Sequence, residues 1–383
     1  MTDGRLITTR ERRSRLGVRH ALAKRADTAQ EAAAAVVALH GTDPATVFLS
    51  AGARLSAPGP GPVERALYED RTLVRMTGMR RTVFVVPRAL VPVLHHSSAL
   101  SIAVKERKNL LKQTGMTEDW LAETELLLLA ALAEREMATA TQLAEAVPRL
   151  RQQFVYGAGT AYETTQSVGS RVLYLMGMQG QIVRHGRPGG TWISGQHQWA
   201  ASPGVEHLDV RAAQAELVRQ WLGAFGPGTE ADLKWWTGWT LGDVRKALAA
   251  VSAVRVRLEE GVGYVLPSDV EPASEARPWA ALLPALDPTP MGWQGRDWYL
   301  PASLRALLFD RSGNVGPTVW WNGEVVGGWA QRPGGEVVTR LLVDVGAEAS
   351  AAIASEVAGL AGWLDGVRVT PRFRTPLERE LSA

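Results

Sequence analysis

Val36-Val37-Ala38-Leu39-His40-Gly41-Thr42-Asp43-Pro44 closes one element and starts the next. The apolar run 32–39 ahead of it has the composition of a helix packed on its neighbours. Gly41 supplies the backbone freedom to leave a helix. Asp43 before Pro44 is a restart signal: an acceptor at the N-cap, then a residue whose φ is preset for the first turn. The spacing predicts helices over 28–39 and 43–54, with His40 and Thr42 at the break between them and their side chains free to enter a groove.

Downstream, Ala57-Pro58-Gly59-Pro60-Gly61-Pro62 is a loop, and a short helix over 63–69 follows. Two strand-like runs, 72–76 and 82–86, flank Thr77-Gly78-Met79-Arg80-Arg81. Helices followed by a β-hairpin make a winged-helix unit, with Arg80 and Arg81 near the turn of the wing. Upstream, residues 1–25 carry Arg10, Arg12, Arg13, Arg15, Arg19, Lys24 and Arg25, read either as a solvated helix face or as a phosphate-contacting arm.

The same order returns twice. A helical stretch, 92–116, carries Lys105, Arg107, Lys108 and Lys112, and a strong helix covers 123–135. Helices over 139–147 and 162–178 then precede strands at 181–184 and 191–194. The tip 185–190 joins these strands, and Arg184 and Arg187 stand beside and on it. The third round has helices 211–225, 230–236 (capped by Thr229) and 241–251 (capped by Thr240), then a hairpin of 254–258 and 263–266. The repeat is one of element order, not of identity.

Beyond Pro267, Leu282 to Pro288 is a buried strand running into a turn. Asn322-Gly323 marks a hairpin, Arg332-Pro333-Gly334-Gly335 turns into a strand over 336–343, and a helix at 346–365 precedes a strand at 367–373. The fold class is α+β: three tandem winged-helix units and a C-terminal antiparallel β-meander with an α cap. The expected units are 1–100, a helical connector 101–125, 126–205, 206–270 and the C-terminal region 271–383.

With 383 residues, 46% apolar and 21% charged, the chain has the make-up of a globular protein of several domains. No apolar run approaches the roughly 18 residues of a membrane span. The start Met1-Thr2-Asp3-Gly4-Arg5 lacks a basic-then-apolar leader pattern. Without cysteine there is no thiolate nucleophile and no Cys-held zinc. A net charge of +3 does not by itself call for nucleic acid, so any such partner must be met by local clusters. Neighbouring His95 and His96 do not readily share a metal, His185 and His197 stand alone, and no Gly-x-Ser-x-Gly or His-Glu-x-x-His occurs. No metal and no cofactor are expected. Most of the 14 tryptophans should be core.

The chain resembles the winged-helix DNA glycosylases of the AlkZ/YcaQ type, which excise bulky alkylated purines and unhook interstrand crosslinks. The resembling residues run almost end to end. They are Leu39 to Pro44, Glu69-Asp70-Arg71-Thr72-Leu73-Val74-Arg75, Met79-Arg80-Arg81-Thr82, Leu283 to Pro288, and Pro317 to Trp329. The family's Gln–apolar–Gln motif, with Gln–apolar–Asp and His–apolar–Gln variants, falls on His40-Gly41-Thr42. His40 matches a variant, Gly41 replaces the apolar residue, and Thr42 replaces the final Gln or Asp.

The resemblance implies a monofunctional glycosylase acting on double-stranded DNA, alkylated or crosslinked, in an open C-shaped channel of positive charge. It also implies a monomer, cytoplasmic and nucleoid-associated, with no membrane partner. An N7- or N3-alkylated purine leaves as a cation, so the residual chemistry is a positioned water attacking an oxocarbenium-like sugar. A neutral His accepts the proton of that water, and a Thr hydroxyl holds it. His40 is therefore the expected water-activating residue and Thr42 the positioning one. Expected DNA contacts are Arg12, Arg13, Arg80, Arg81, Lys105, Lys108, Arg184, Arg187, Asn322 and Arg332, with the Asn322-Gly323 hairpin or the Arg80-Arg81 turn as minor-groove wedge. The alternatives are a non-catalytic winged-helix DNA-binding factor and a binder of a DNA-alkylating small molecule.

Overall fold

A computed structural model describes residues 4–157, 159–160 and 163–383. Met1 and Tyr162, where two of the sequence readings begin, lie outside the described residues.

Valine-rich Leu73–Thr77 and Val83–Pro87 form a hairpin, paired from Leu73↔Pro87 to Thr77↔Val83. They are the centre of a six-stranded sheet. Its order is Leu39–His40, Val83–Pro87, Leu73–Thr77, Ile182–Gly186, Gln198–Ala201 and Met137–Ala138. The two halves mirror each other, a short strand outside a hairpin on each side, and meet where Arg75 lies opposite Arg184. Two basic side chains directly opposed across a pair repel, so packing rather than pairing holds this seam.

Residues 28–39 are not one helix. Helix Ala29–Ala34, closed by the Thr28/Glu31 capping box, ends early. Val37 then takes a left-handed turn at φ 64, and Leu39–His40 continues as a strand. Val36, Val37 and Leu39 are fully buried. A fully buried apolar run reads alike as helix or as turn and strand, so periodicity had nothing to separate them.

Restoring that strand exposes a recurring order: helix, short strand, two helices, then a hairpin whose second strand takes the short one. In the first round the helices are Ala29–Ala34, Pro44–Gly52 and the Pro60–Glu64 helix continued through Arg65–Glu69. In the second they are Glu118–Arg135, Ala140–Ala146 and Val168–Met178, with Met137–Ala138 paired to Gln198–Ala201. In the third they are Val210–Phe225, Glu230–Thr237 and Leu241–Ala250, and the short strand shrinks to a bridge from Gly228 to Tyr264 on the Val254–Leu258/Gly261–Val265 hairpin.

Three further readings change. Thr164–Ser167, read as helix, is a strand paired with Gln153–Tyr156, in keeping with its adjacent threonines. Thr191–Ser194 is no strand. Trp192 buries itself between Phe48 and Trp363, 5.4 and 5.6 Å away, and the strand waits until Gln198. No strand forms over 367–373, and a helix, Pro376–Leu381, follows. The C-terminal region is a four-stranded antiparallel meander of Ala280–Leu283, Thr318–Trp321, Glu324–Gln331 and Val337–Leu341, packed on helix Gly346–Leu364. No helix of the described residues is long and apolar enough to cross a membrane.

One buried ionic knot ties these parts together. Arg54, at the end of helix Pro44–Gly52, meets Asp287 through two hydrogen bonds of 2.8 Å, and both side chains are fully buried. Its terminal nitrogens also reach the Ser50 carbonyl and the Thr289 hydroxyl, which contacts Nδ1 of His20 at 2.8 Å, while its Nε is buried without a partner among the described residues. The Thr46 hydroxyl donates to the Ala285 carbonyl. The helix that follows His40 is therefore bolted to the Leu283–Pro288 turn.

Candidate active site

His40 stands on an edge strand, not at a helix end. Its register partner is Phe84, whose ring meets the imidazole edge-on at 5.8 Å. The Gly41 amide extends the ladder to the Val83 carbonyl at 2.7 Å. Strand alternation sends Leu39 into the core and His40 to the opposite face, where it is half-buried. Its Nδ1 is shielded from solvent and has no hydrogen-bond partner. Burial, and secondarily the charge of Arg80, pushes the ring down to about 4. At neutral pH it is an uncharged imidazole that can accept a hydrogen bond.

Thr42 does not cap the next helix. Asp43 does, its Oδ1 accepting the Ala45 amide at 3.1 Å, which leaves the Thr42 hydroxyl outside the cap. Arg372, which nothing in the sequence pointed to, clamps the motif from the C-terminal region. Its amide donates to Asp43 Oδ2 at 3.0 Å and its guanidinium to the Thr42 carbonyl at 3.4 Å. Arg75 donates to the Gly41 carbonyl at 3.3 Å.

Beside His40 the hairpin turn is strained. Arg80 and Arg81 both take left-handed backbone, φ 53 and 63, while Met79 anchors the turn in the core. Arg80 lies 4.9 Å from the Trp235 ring, and Arg296 lies 4.9 Å from the same ring. Neither guanidinium has a carboxylate partner among the described residues. Trp235 comes from helix Glu230–Thr237 and Arg296 from the loop after Trp293, so three distant segments converge here. Sequence reading found Arg80 and missed the other two, because neither lies in a local motif.

The remaining expected DNA contacts divide. Lys105 and Lys108 are exposed on helix Leu100–Thr114. Arg81 is committed to Glu106 at 2.9 Å, though half-exposed. Arg332 is exposed on its turn and pairs with Glu336 at 2.9 Å.

Five of the expected contacts are engaged within the fold. Arg12 is 2% exposed, held by Glu260 and stacked 4.1 Å over Trp298. Arg13 is spent on Glu324 and the Trp298 carbonyl. The face of the N-terminal helix that carries Arg12 and Arg15 is thus buried, while Arg10 and Lys24 stay exposed. The N-terminal stretch is stitched inward through Ile7, whose amide donates to the Arg257 carbonyl. Arg184 lies in the sheet against Trp199, pushed down to about 10 by burial and the charge of Arg75. Arg187 is held by Glu64 at 2.6 Å. Asn322 is held in its turn, its Oδ1 accepting the Trp279 amide, and a Cβ at Gly323 would lie 2.6 Å from Arg13 Cβ. That turn is packed, and Gly is required there at φ 84.

His20, His95 and His197 share the neutral state of His40, each pushed below the usual imidazole value chiefly by burial. The unfolded chain takes protons on such rings below about 6.5 that the folded chain refuses until about 4. Stability is therefore lost as pH falls from 6.5 towards 4, at about 1.4 kcal/mol per pH unit for each ring at most. Calorimetry should show Tm falling steadily from pH 7 to 5, with His95→Phe and His197→Phe each flattening the slope.

Helix-and-hairpin rounds thus bring a neutral imidazole beside two guanidiniums that have no carboxylate partner among the described residues. The chain is similar in structure to the Streptomyces sahachiroi DNA glycosylase AlkZ, with a TM-score of 0.76 at 18% identity, covering 96% of this chain and 99% of that one. No curated protein matches it. A family model described as DNA glycosylase AlkZ-like matches residues 33–363, a span that holds the whole motif, the Arg80 turn and the Arg54–Asp287 knot. The chain belongs to the AlkZ-like DNA glycosylase family, whose reaction is hydrolysis of the N-glycosidic bond in DNA.

Proposed function

We propose that this chain excises bulky N-alkylated purines or crosslinked bases from duplex DNA as a monofunctional, monomeric glycosylase, with His40 activating the attacking water by accepting a hydrogen bond from it and Thr42 holding that water. The observation that carries the reading is the partnerless, shielded Nδ1 of a neutral His40. An alkylated purine departs as a cation and needs no strong acid. The sugar then bears the positive charge, and water becomes acidic as it adds to it. A ring titrating near 4 is a weak base but a sound acceptor, which is what such a late proton loss asks for.

The three helix-and-hairpin rounds read as winged-helix units bordering a C-shaped channel, with the Arg80-Arg81 turn as the wing nearest the lesion. In this reading Arg80 and Arg296, both against Trp235 and without a carboxylate partner among the described residues, take a backbone phosphate, and Lys105 and Lys108 take more distant ones. Alanine at both Arg80 and Arg296 should weaken duplex binding and lower its salt slope by about 1 to 2, as read by fluorescence anisotropy from 50 to 200 mM salt.

The reading is tested by incubating the protein with a duplex carrying a single N7-alkylguanine and then treating with alkali. The expected product is a strand break that forms only after alkali, because a monofunctional enzyme leaves an intact abasic strand. Salt-steep binding with no alkali-labile site at stoichiometric protein would point instead to the non-catalytic DNA-binding reading.

A further inference from the structure

Away from His40, at the end of the central hairpin remote from the Arg80 turn, a cavity of about 510 Å³ opens between the two halves of the six-stranded sheet. Leu67, Leu73, Val74, Val91, Val183 and Val205 make its apolar lining. A cavity of this size is in the range that encloses a drug-sized molecule rather than a few waters.

Its polar groups are one-sided. Arg71, Arg88, Arg184 and His185 line it against a single carboxylate, Glu206. Arg71 holds a left-handed backbone, φ 53, and its carbonyl accepts Arg88 Nε at 2.7 Å, which sets the two exposed side chains at one rim. Neither forms an ion pair among the described residues, whereas most arginines of this chain do. The opposite wall is the irregular stretch 202–206, held through His96 Nε2, which contacts the Glu206 carbonyl at 3.0 Å.

We infer that this cavity is a second site, distinct from the base-excision site, for a small, largely apolar molecule carrying an anionic group, the apolar body against Val74, Val91 and Val183 and the anion on Arg71 and Arg88. Nucleic acid is a poor occupant, since leucine and valine make the body of the lining and no Phe, Tyr or Trp stands in it as a platform for a base.

Two probes test it on the full chain. One is 1-anilinonaphthalene-8-sulfonate; the other is N-phenyl-1-naphthylamine, the same aromatic body without the charge. Titration should give one saturable site per chain, with the sulfonate bound about tenfold tighter than the amine, as a charge-assisted bond requires. Arg71→Ala with Arg88→Ala, both at the surface, should erase that preference while leaving the amine bound. Val183→Trp, which fills the cavity, should abolish both, with the far-ultraviolet circular dichroism unchanged.

The inference fails if the sulfonate binds the filled variant as before, or if both probes bind equally to the wild type. It also fails if the double arginine variant loses duplex affinity in step with the sulfonate, because the rim would then belong to the DNA surface. His40→Ala should leave both probes bound, so failure of the excision reading and failure of this one are told apart.

Discussion

His40→Ala should lower the single-turnover excision rate of an alkylated purine by about 100-fold or more, while duplex affinity changes less than about twofold, because the proposed role of the ring is toward the water and not the phosphates. His40→Gln is the sharper variant. A ring that titrates near 4 is held neutral and supplies an acceptor rather than a strong base. An amide oxygen supplies the same acceptor, so His40→Gln should keep most of the activity. The wild-type rate should be level from pH 8 to 5 and fall only as the ring takes a proton near 4. A rate that instead tracks a group near 6.5, with His40→Gln as inactive as His40→Ala, would mean that true proton abstraction is needed. Thr42→Val should cost about tenfold, the loss of one hydrogen bond to a water that His40 still holds.

Asp287→Ala should destabilise the fold by about 3 to 5 kcal/mol, because it strands the Arg54 charge in a dry interior. That is a large share of the roughly 5 to 15 kcal/mol that holds a protein folded. The arginine cannot turn to solvent: its side chain is fully buried and already committed to Ser50 and Thr289. Arg54→Met added to Asp287→Ala should recover much of the loss, since an apolar pair of similar volume carries no desolvation penalty. Urea unfolding of the two variants checks this. Equal loss in both would assign the cost to packing rather than to the stranded charge.

The stability of this knot bears on the site as well. Arg54 lies just past the helix that begins two residues after Thr42, so the knot anchors the element that follows the motif. Any activity loss in Asp287→Ala should therefore appear in kcat before it appears in duplex affinity.

Much of this was legible in the chain. The Asp43-Pro44 cap, the Thr229 and Thr240 caps, the Asn322-Gly323 turn and the recurring helix-and-hairpin order are local features, set by backbone preference within a few residues. His40 to Thr42 was singled out by the resemblance, and the local reading of it as a break between two helices gave way to the strand Leu39–His40. The packing partners were not. Whether Val36 to His40 is helix or strand depends on Val83–Pro87 lying alongside, more than 40 residues away. A cationic residue gives no local sign of whether a carboxylate awaits it elsewhere. Arg12, Arg13 and Arg187 are spent inside the fold on Glu260, Glu324 and Glu64, while Arg80 and Arg296 stay unpaired over Trp235. The residue sequence alone determined where the Asp43, Thr229 and Thr240 caps and the Asn322-Gly323 turn lie, because those follow from each residue's own dihedral and hydrogen-bonding preferences. Only the tertiary structure decided which arginines are free, that His40 is neutral, and that Arg372 holds the motif, because charge pairing and burial are properties of neighbours that the chain brings together from hundreds of residues apart.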